Sequence, residues 1–259
     1  MATFIHPTAI VQEGAFLDED VSVGPYCIVG PLVRIGKGTR LHGNVVLEGR
    51  TEIGRSCQLY PFSYLGQPPQ DLKYRDEDTA VTVGDRTIIR EYVTVHRASV
   101  GGDGVTRVGD DTFLMAYVHV AHDCRVGGNV VMASYAGLSG HVLVEDNVII
   151  GGHTGIHQFV RIGEYAMVGG VSGVRQDVPP YMIASGVEAR LYGLNVVGLK
   201  RKGFSAEAIG ELKRAYSVLF QQNLSMDAAL EKVTKELPPN RHILHLVEFI
   251  QAKKRGICR

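Results

Sequence analysis

An aliphatic residue recurs at every sixth position through most of the first 174 residues, and nothing else in the chain limits its fold as tightly. From Ile5 the series runs Val11, Leu17, Val23, Val29, Ile35, Leu41, Leu47, Ile53, Leu59 and Leu65. After a break it continues with Val83, Ile89 and Val95, and after a second break and a slip of one residue it runs from Val108 to Val174. The residue two before each of these is small or β-branched, from Ala9, Ala15, Val21 and Cys27 through to Ser172. Residues i and i−2 share one face of a strand. Each hexad therefore reads as a short strand with two inward side chains, followed by a turn that is often glycine. Three such strands close a triangular coil of 18 residues, and coils stack at about 4.8 Å through parallel ladders. A meander of hairpins would need two-residue turns of Asn-Gly type, which the runs lack. The expected fold is a parallel β-helix over residues 1–178. Its hand does not follow from the period, and the general preference is for right-handed crossovers.

The period also disposes of most of the cysteines. Cys27, Cys57 and Cys124 all fall in the small inward slot, and no two of the four cysteines have CxxC spacing, so they read as core rather than as metal or redox chemistry. The 27 Lys and Arg residues balance 27 Asp and Glu, which gives no pull toward nucleic acid. The N-terminal MATFIHPTAIVQEG has no basic-then-apolar leader, and no apolar run reaches membrane-spanning length. The expectation is a cytoplasmic protein with reduced thiols, no stable membrane insertion and no nucleic-acid partner.

Two segments interrupt the repeat, 66–82 (GQPPQDLKYRDEDTAVT) and 97–107 (RASVGGDGVTR). Leu65 and Val83 are 18 apart, so the first keeps the phase, yet Asp71 and Glu77 fall at would-be core positions. It is expected to leave the coil as a loop, and ordered loops on rigid scaffolds often carry function. The repeat ends at Asp177-Val178-Pro179-Pro180, which sets the division into a β-helix domain, 1–190, and a C-terminal α-helical domain, 191–259. Ser205 can cap a helix to about Gln222, Ser225 another to Leu237, and a third follows Pro239 and ends near Lys254. Leu212, Ala215, Tyr216 and Leu219 form an apolar stripe at helical spacing. Such helices would cover the open end of the β-helix.

Because residues 18 apart are stacked neighbours, side chains can be placed relative to one another. Asp123 lies below His141, His122 below Gly140, and His157 stands over Ser139, so His122, His141 and His157 gather on one face in three consecutive coils. His119 precedes His122 on the same segment. Three readings stay open at this point. The histidines are simply exposed polar positions; or they bind a metal, since His153 and His157 with His122 are similar to the three-histidine zinc site of γ-class carbonic anhydrases; or His122 with Asp123 is a general base. Neighbours on a strand point apart, so the last reading requires Asp123 to reach back at a turn. No Ser-His-Asp arrangement or reactive cysteine is present for a covalent acyl-enzyme.

The motifs MAYVHVAHDC (115–124), LSGHV (138–142), GIHQF (155–159), QDLKY (70–74), TVHR (94–97) and GLNVVGLKRKGFS (193–205) resemble the UDP-N-acetylglucosamine acyltransferases of lipid A biosynthesis, over essentially the whole chain. The resemblance implies a left-handed parallel β-helix of hexapeptide repeats and a homotrimer with active sites in clefts between subunits. It implies transfer of an (R)-3-hydroxyacyl chain from acyl carrier protein to the 3-hydroxyl of UDP-N-acetylglucosamine, with no cofactor beyond the donor's own phosphopantetheine. His122 would be the general base, Asp123 its orienting partner, and the Gly140 N–H the oxyanion donor. Gln70, Asp71 and Lys73 would hold the sugar nucleotide, His96, His119, His141 and His157 would line the cleft, and Asn195 and Arg201 would contact the nucleotide end. Lys200, Arg201, Lys202 and the tail Lys253-Lys254-Arg255 would dock the acidic carrier protein. In this family the position of Gly170 limits acyl chain length. Here it stacks on Gly152, Ser134 and Ala116, all small, which implies a chain of about 14 carbons or more. Val197 and Lys202 depart from the family, where an acidic residue and an arginine are usual.

Overall fold

The computed structural model describes residues 2–252 and 255–259. The chain winds as a left-handed β-helix whose three faces begin with the strands Phe4–Ile5, Ile10–Val11 and Phe16–Leu17. The three sheets hold 11, 9 and 8 strands among the described residues, and within the coils each strand pairs in parallel with the third before and the third after it. Every inward pair read from the repeat between Val21 and Val174 is buried, including the couples Val21/Val23, Cys57/Leu59 and Ser172/Val174. The core is one column of aliphatic layers with Cys27, Cys57 and Cys124 inside it.

Most corners are turned by a residue with positive φ, and most of these are not glycine. Along the third-to-first edge they include Arg86, Asp111, Asn129, Asn147 and Tyr165; along the first-to-second edge, Phe62, Tyr92, Tyr117, Tyr135, His153 and Val171 among others. The left-handed region costs roughly 1–2 kcal/mol for such a residue, least for Asn, Asp and His. Stacking offsets that cost. Phe62, Tyr92, Tyr117, Tyr135 and His153 form a continuous ladder with ring centroids 5.1, 4.7, 4.6 and 4.7 Å apart, their planes nearly parallel.

Both interruptions leave the coil, but not in the way the phase suggests. Leu65 lies on the second face and Val83 on the third, so the step of 18 from one to the other covers one corner rather than a full turn. The ladder partner of Leu65 is Val95, that of Val95 is Val120, and only above this does the step return to that of Val120 and Leu138. The preserved phase of the first segment is a coincidence of its length. Both loops emerge from the second-to-third edge, between Tyr64–Gln67 and Ala80–Val83, and between Thr94–His96 and Val105–Val108.

Above the last coil the chain does not turn helical at 191. Met182–Ser185 extends the first face, and Arg190–Leu194 pairs with it antiparallel. Helices follow at Val196–Arg201 (α1), Ala206–Phe220 (α2), Met226–Glu236 (α3) and Arg241–Gln251 (α4), the middle two capped by Ser205 and Ser225 as expected. Asn240 caps α4, and α1 had no periodic signal because it is a single short turn. Their apolar faces share a second core with Tyr181 and Met182. Arg161 joins the parts. Its guanidinium donates to Asp177 Oδ2 at 2.9 and 2.7 Å and to the Phe249 carbonyl at 2.9 Å, while lying 4.2 Å over the Phe249 ring. On the third face, His245 of α4 sits 3.0 Å from Glu145 and 3.7 Å from Glu164. No helix among the described residues is long and apolar enough to cross a membrane.

Candidate active site

The second-to-third edge collects most of the expected site. From bottom to top it carries the QDLKY loop, the 97–104 loop, His122 with Asp123, Gly140 with His141, and His157. Asp123 and His141 are themselves corner residues, each with φ of 60°. That conformation turns the Asp123 side chain back onto its neighbour, so the objection that adjacent strand residues point apart does not apply. His122 Nδ1 lies 2.8 Å from Asp123 Oδ2.

The surroundings fix this pair. Asp123 is buried, and its Oδ2 also accepts hydrogen bonds from the Ser99 N–H (3.0 Å) and hydroxyl (2.7 Å). Its own N–H donates to Thr106 Oγ1 at 2.9 Å. Burial pushes the Asp123 carboxyl up, but the hydrogen bonds from His122 and Ser99 outweigh it and hold the group below the usual carboxylate range. A carboxylate at Oδ2 can only accept, which places the proton on Nδ1 of His122 and leaves Nε2 as the free base. The imidazole rests on the Cα of Gly140: a Cβ there would lie 2.5 Å from His122 Cε1 and 2.6 Å from Nε2. Gly140 is buried, and its N–H makes no hydrogen bond within the described residues.

The other histidines divide into two kinds. His141 stands edge-on to His122, with ring centroids 5.2 Å apart, and stacks on Phe159 at 4.6 Å. His157 is exposed and meets Arg255 Nη2 at 3.1 Å through Nδ1. His119 Nδ1 is 2.7 Å from Thr94 Oγ1, and burial depresses its ionisation. His96 is buried beneath it, edge-on at 5.2 Å, and burial pushes its pKa down to about 4, so it is a neutral support for the His119 ring. On the QDLKY loop Gln70 and Lys73 are exposed, and Asp71 Oδ1 accepts the Lys73 N–H at 2.9 Å in a tight turn.

Three expected residues lie elsewhere in the single chain. Gly170 is on the first-to-second edge, where a Cβ would meet the Gly152 carbonyl at 3.2 Å. Asn195 is buried and caps α1, accepting the Gly198 N–H and donating to the Tyr165 carbonyl. Arg201 is exposed at the end of α1, beside Lys202, whose Nζ donates to Asn147 on the third-to-first edge. Lys253 and Lys254 fall outside the described residues.

His153 is on the first-to-second edge, stacked on Tyr135, and so does not join His122 and His157 in a three-histidine metal site. Ligand atoms of His122, Asp123 and His141 do come within 4.8 Å of one another. Oδ2 of Asp123 already accepts three hydrogen bonds, while Oδ1 is buried without a partner. The 97–107 segment has no period to place Ser99, whereas Thr106 fills the small inward slot before Val108 and reads as core.

Residues 177–258 match the family model described as UDP N-acetylglucosamine O-acyltransferase, domain 2, and residues 106–140 match that of the bacterial transferase hexapeptide repeats. The chain is 59% identical to the acyl-[acyl-carrier-protein]–UDP-N-acetylglucosamine O-acyltransferase of Thermodesulfovibrio yellowstonii, over 98% of this chain and 99% of that one. Among solved structures it is similar to the UDP-N-acetylglucosamine O-acyltransferase of Moraxella catarrhalis (44% identity, TM-score 0.96, covering 98% and 99% of the two chains). It is also similar to the UDP-N-acetylglucosamine acyltransferase of Bacteroides fragilis (35%, 0.97, covering 99% and 100%).

Proposed function

This chain belongs to the acyl-[acyl-carrier-protein]–UDP-N-acetylglucosamine O-acyltransferases, and we propose that His122 is the general base of its transfer reaction. The protein is an O-acyltransferase of lipid A biosynthesis, with acyl carrier protein and UDP-N-acetylglucosamine as its substrates. In the proposed sequence His122 Nε2 takes the proton of the sugar 3-hydroxyl as that oxygen attacks the thioester carbonyl of a 3-hydroxyacyl donor. The Gly140 N–H donates to the developing oxyanion, and Asp123 stabilises the imidazolium. Collapse of the tetrahedral intermediate breaks the C–S bond, and the proton held by His122 passes to the departing thiolate. A thioester arrives already activated, so this chemistry calls for no resident cofactor and no covalent acyl-enzyme.

The observation that carries the reading is the His122–Asp123 contact of 2.8 Å, seated against a glycine whose N–H is uncommitted. The test is acyl transfer from 3-hydroxyacyl carrier protein to UDP-N-acetylglucosamine by wild type and His122→Ala. A loss of at least about a hundredfold with an unchanged melt supports it; an unchanged rate removes His122 from the mechanism. Elemental analysis decides the competing metal reading, which requires stoichiometric zinc.

The placement of the remaining residues supports a homotrimer with clefts between copies. Gly170, the nucleotide-end residues and His122 sit on three different edges, and only neighbouring chains can bring such edges together. The aromatic ladder on the first-to-second edge is largely exposed in one chain, with Tyr92, Tyr117 and Tyr135 at 44, 44 and 51%, as an interface would leave it. Sedimentation at three times 28.2 kDa is the expected result. In that cleft Gln70, Asp71, Lys73, Asn195 and Arg201 would meet the sugar nucleotide, while Lys200, Lys202 and Arg255 would offer positive charge to the carrier protein. The division at 190/191 would separate the transferring coil from its helical cap. The small column under Gly170 would admit a long acyl chain, of about 14 carbons or more; preference for a 10-carbon donor in a chain-length series would refute that.

A further inference from the structure

We propose that Ser99 is a positioning residue for the transfer reaction: its N–H and its hydroxyl hold the Asp123 carboxylate against His122, so that Nδ1 keeps its proton and Nε2 faces the acceptor. The proposal deepens, and rests on, the reading of His122 as the base.

Ser99 is buried in the loop that leaves the coil after Thr94–His96. Two of its donors converge on one oxygen, Asp123 Oδ2, at 3.0 and 2.7 Å, the oxygen that also meets His122 Nδ1 at 2.8 Å. Among the described residues no side chain other than Ser99 and His122 hydrogen-bonds that carboxylate. His141 Nε2 is 3.7 Å away, beyond hydrogen-bond distance. The second oxygen, Oδ1, is buried without a partner and faces Gly102, where a Cβ would lie 2.5 Å from it. The loop thus closes over the carboxylate with glycine on one side and the Ser99 donors on the other. Without Ser99, the carboxylate could rotate to present either oxygen, and the imidazole would lose its single orientation. The donors also reduce the basicity of Asp123, so the shared proton stays on the histidine. This gives the second interruption of the repeat a purpose that its sequence does not advertise.

The experiment is steady-state kinetics with full-length protein and both natural substrates, on Ser99→Ala, Ser99→Thr, Asp123→Ala, the Ser99→Ala/Asp123→Ala double variant and His122→Ala. Ser99→Ala is expected to lower kcat about tenfold or more, the scale of a lost hydrogen bond to a charged group, with KM for the sugar nucleotide within about twofold. Ser99→Thr should recover most of that loss, and Ser99→Ala should cost little further once Asp123 is alanine. Nitrogen NMR of the labelled wild-type protein should find His122 as the Nδ1–H tautomer. That measurement, with Ser99→Thr, keeps the idea testable even if Ser99→Ala fails to fold. A change in KM alone, losses that multiply in the double variant, or an Nε2–H tautomer in wild type would overturn the proposal. A fully active His122→Ala would instead overturn the base reading beneath it.

Discussion

Gly140→Ala isolates the seat of the proposed base from everything else in the site. The added methyl would stand 2.5 Å from His122 Cε1 and 2.6 Å from Nε2. Carbon atoms settle at about 3.5 Å or more, so the imidazole must withdraw by about 1 Å. It is free to do so, because its side chain is 17% exposed and is not packed on all sides. The fold therefore survives; even about 1 kcal/mol of strain would shift Tm by only about 2–4 °C in a chain of this size. Catalysis does not tolerate the same shift, since a misplacement of about 1 Å costs on the order of a hundredfold. The expected result in the acyl-transfer assay is a kcat about a hundredfold down, with a near-native melt. A variant that keeps a third or more of wild-type kcat would show that His122 does not need the position the structure gives it.

Three further outcomes are expected. The hydrogen bond with Glu145 raises the ionisation of His245, so its contribution to stability is complete below pH about 6.5 and is lost as pH rises through the elevated folded value. Burial also raises Glu164 beside it, which acts in the same sense, with Arg241, Tyr181 and Glu248 as the other groups around the ring. Melting temperature of wild type should thus fall as pH rises above about 6.5, and less steeply for His245→Gln; parallel curves would contradict this. Asp177→Ala leaves the partly buried Arg161 guanidinium without its buried carboxylate, at a cost of about 3–5 kcal/mol, read as a Tm lower by roughly 10 °C or more in calorimetry. Finally, burial pushes the thiols of Cys57 and Cys258 up to about 11 and that of Cys124 to about 12, and Cys27 upward as well. Native protein at pH 8 should take up no iodoacetamide by mass spectrometry, and unfolded protein should take up four equivalents.

The repeat made the inward columns, the stacking of His122 under Gly140 and the three core cysteines legible because each depends only on a period. What it did not reveal depends on where the chain departs from that period. The stack above Leu65 could not be counted, since a loop of convenient length imitated a full turn. Ser99 could not be placed, because its segment has no register until folded. Strand alternation alone would point Asp123 away from His122; the required reach-back at a turn is supplied by a corner, where φ is positive and alternation stops. The helices α2 and α3 were visible through their serine caps, whereas α1 is too short to show a stripe. Asn195 also starts that same short helix, a capping role that a helix too short for a stripe does not advertise.

The two loops also say what kind of editing this scaffold accepts. A coil is a counter with three positions, and an insertion of six or twelve residues kept within it would rotate everything above by one or two faces, moving His122 off its edge. Whole coils of eighteen restore the count. Both loops are exempt because they leave and re-enter at the same corner: the ladder partner of Ile53 is still Val83, and that of Val83 is still Val108. In a solenoid each coil touches only its neighbours. The lower coils are therefore a shaft that can be lengthened or shortened by complete turns, or fitted with excursions at its corners, without the upper coils registering the change.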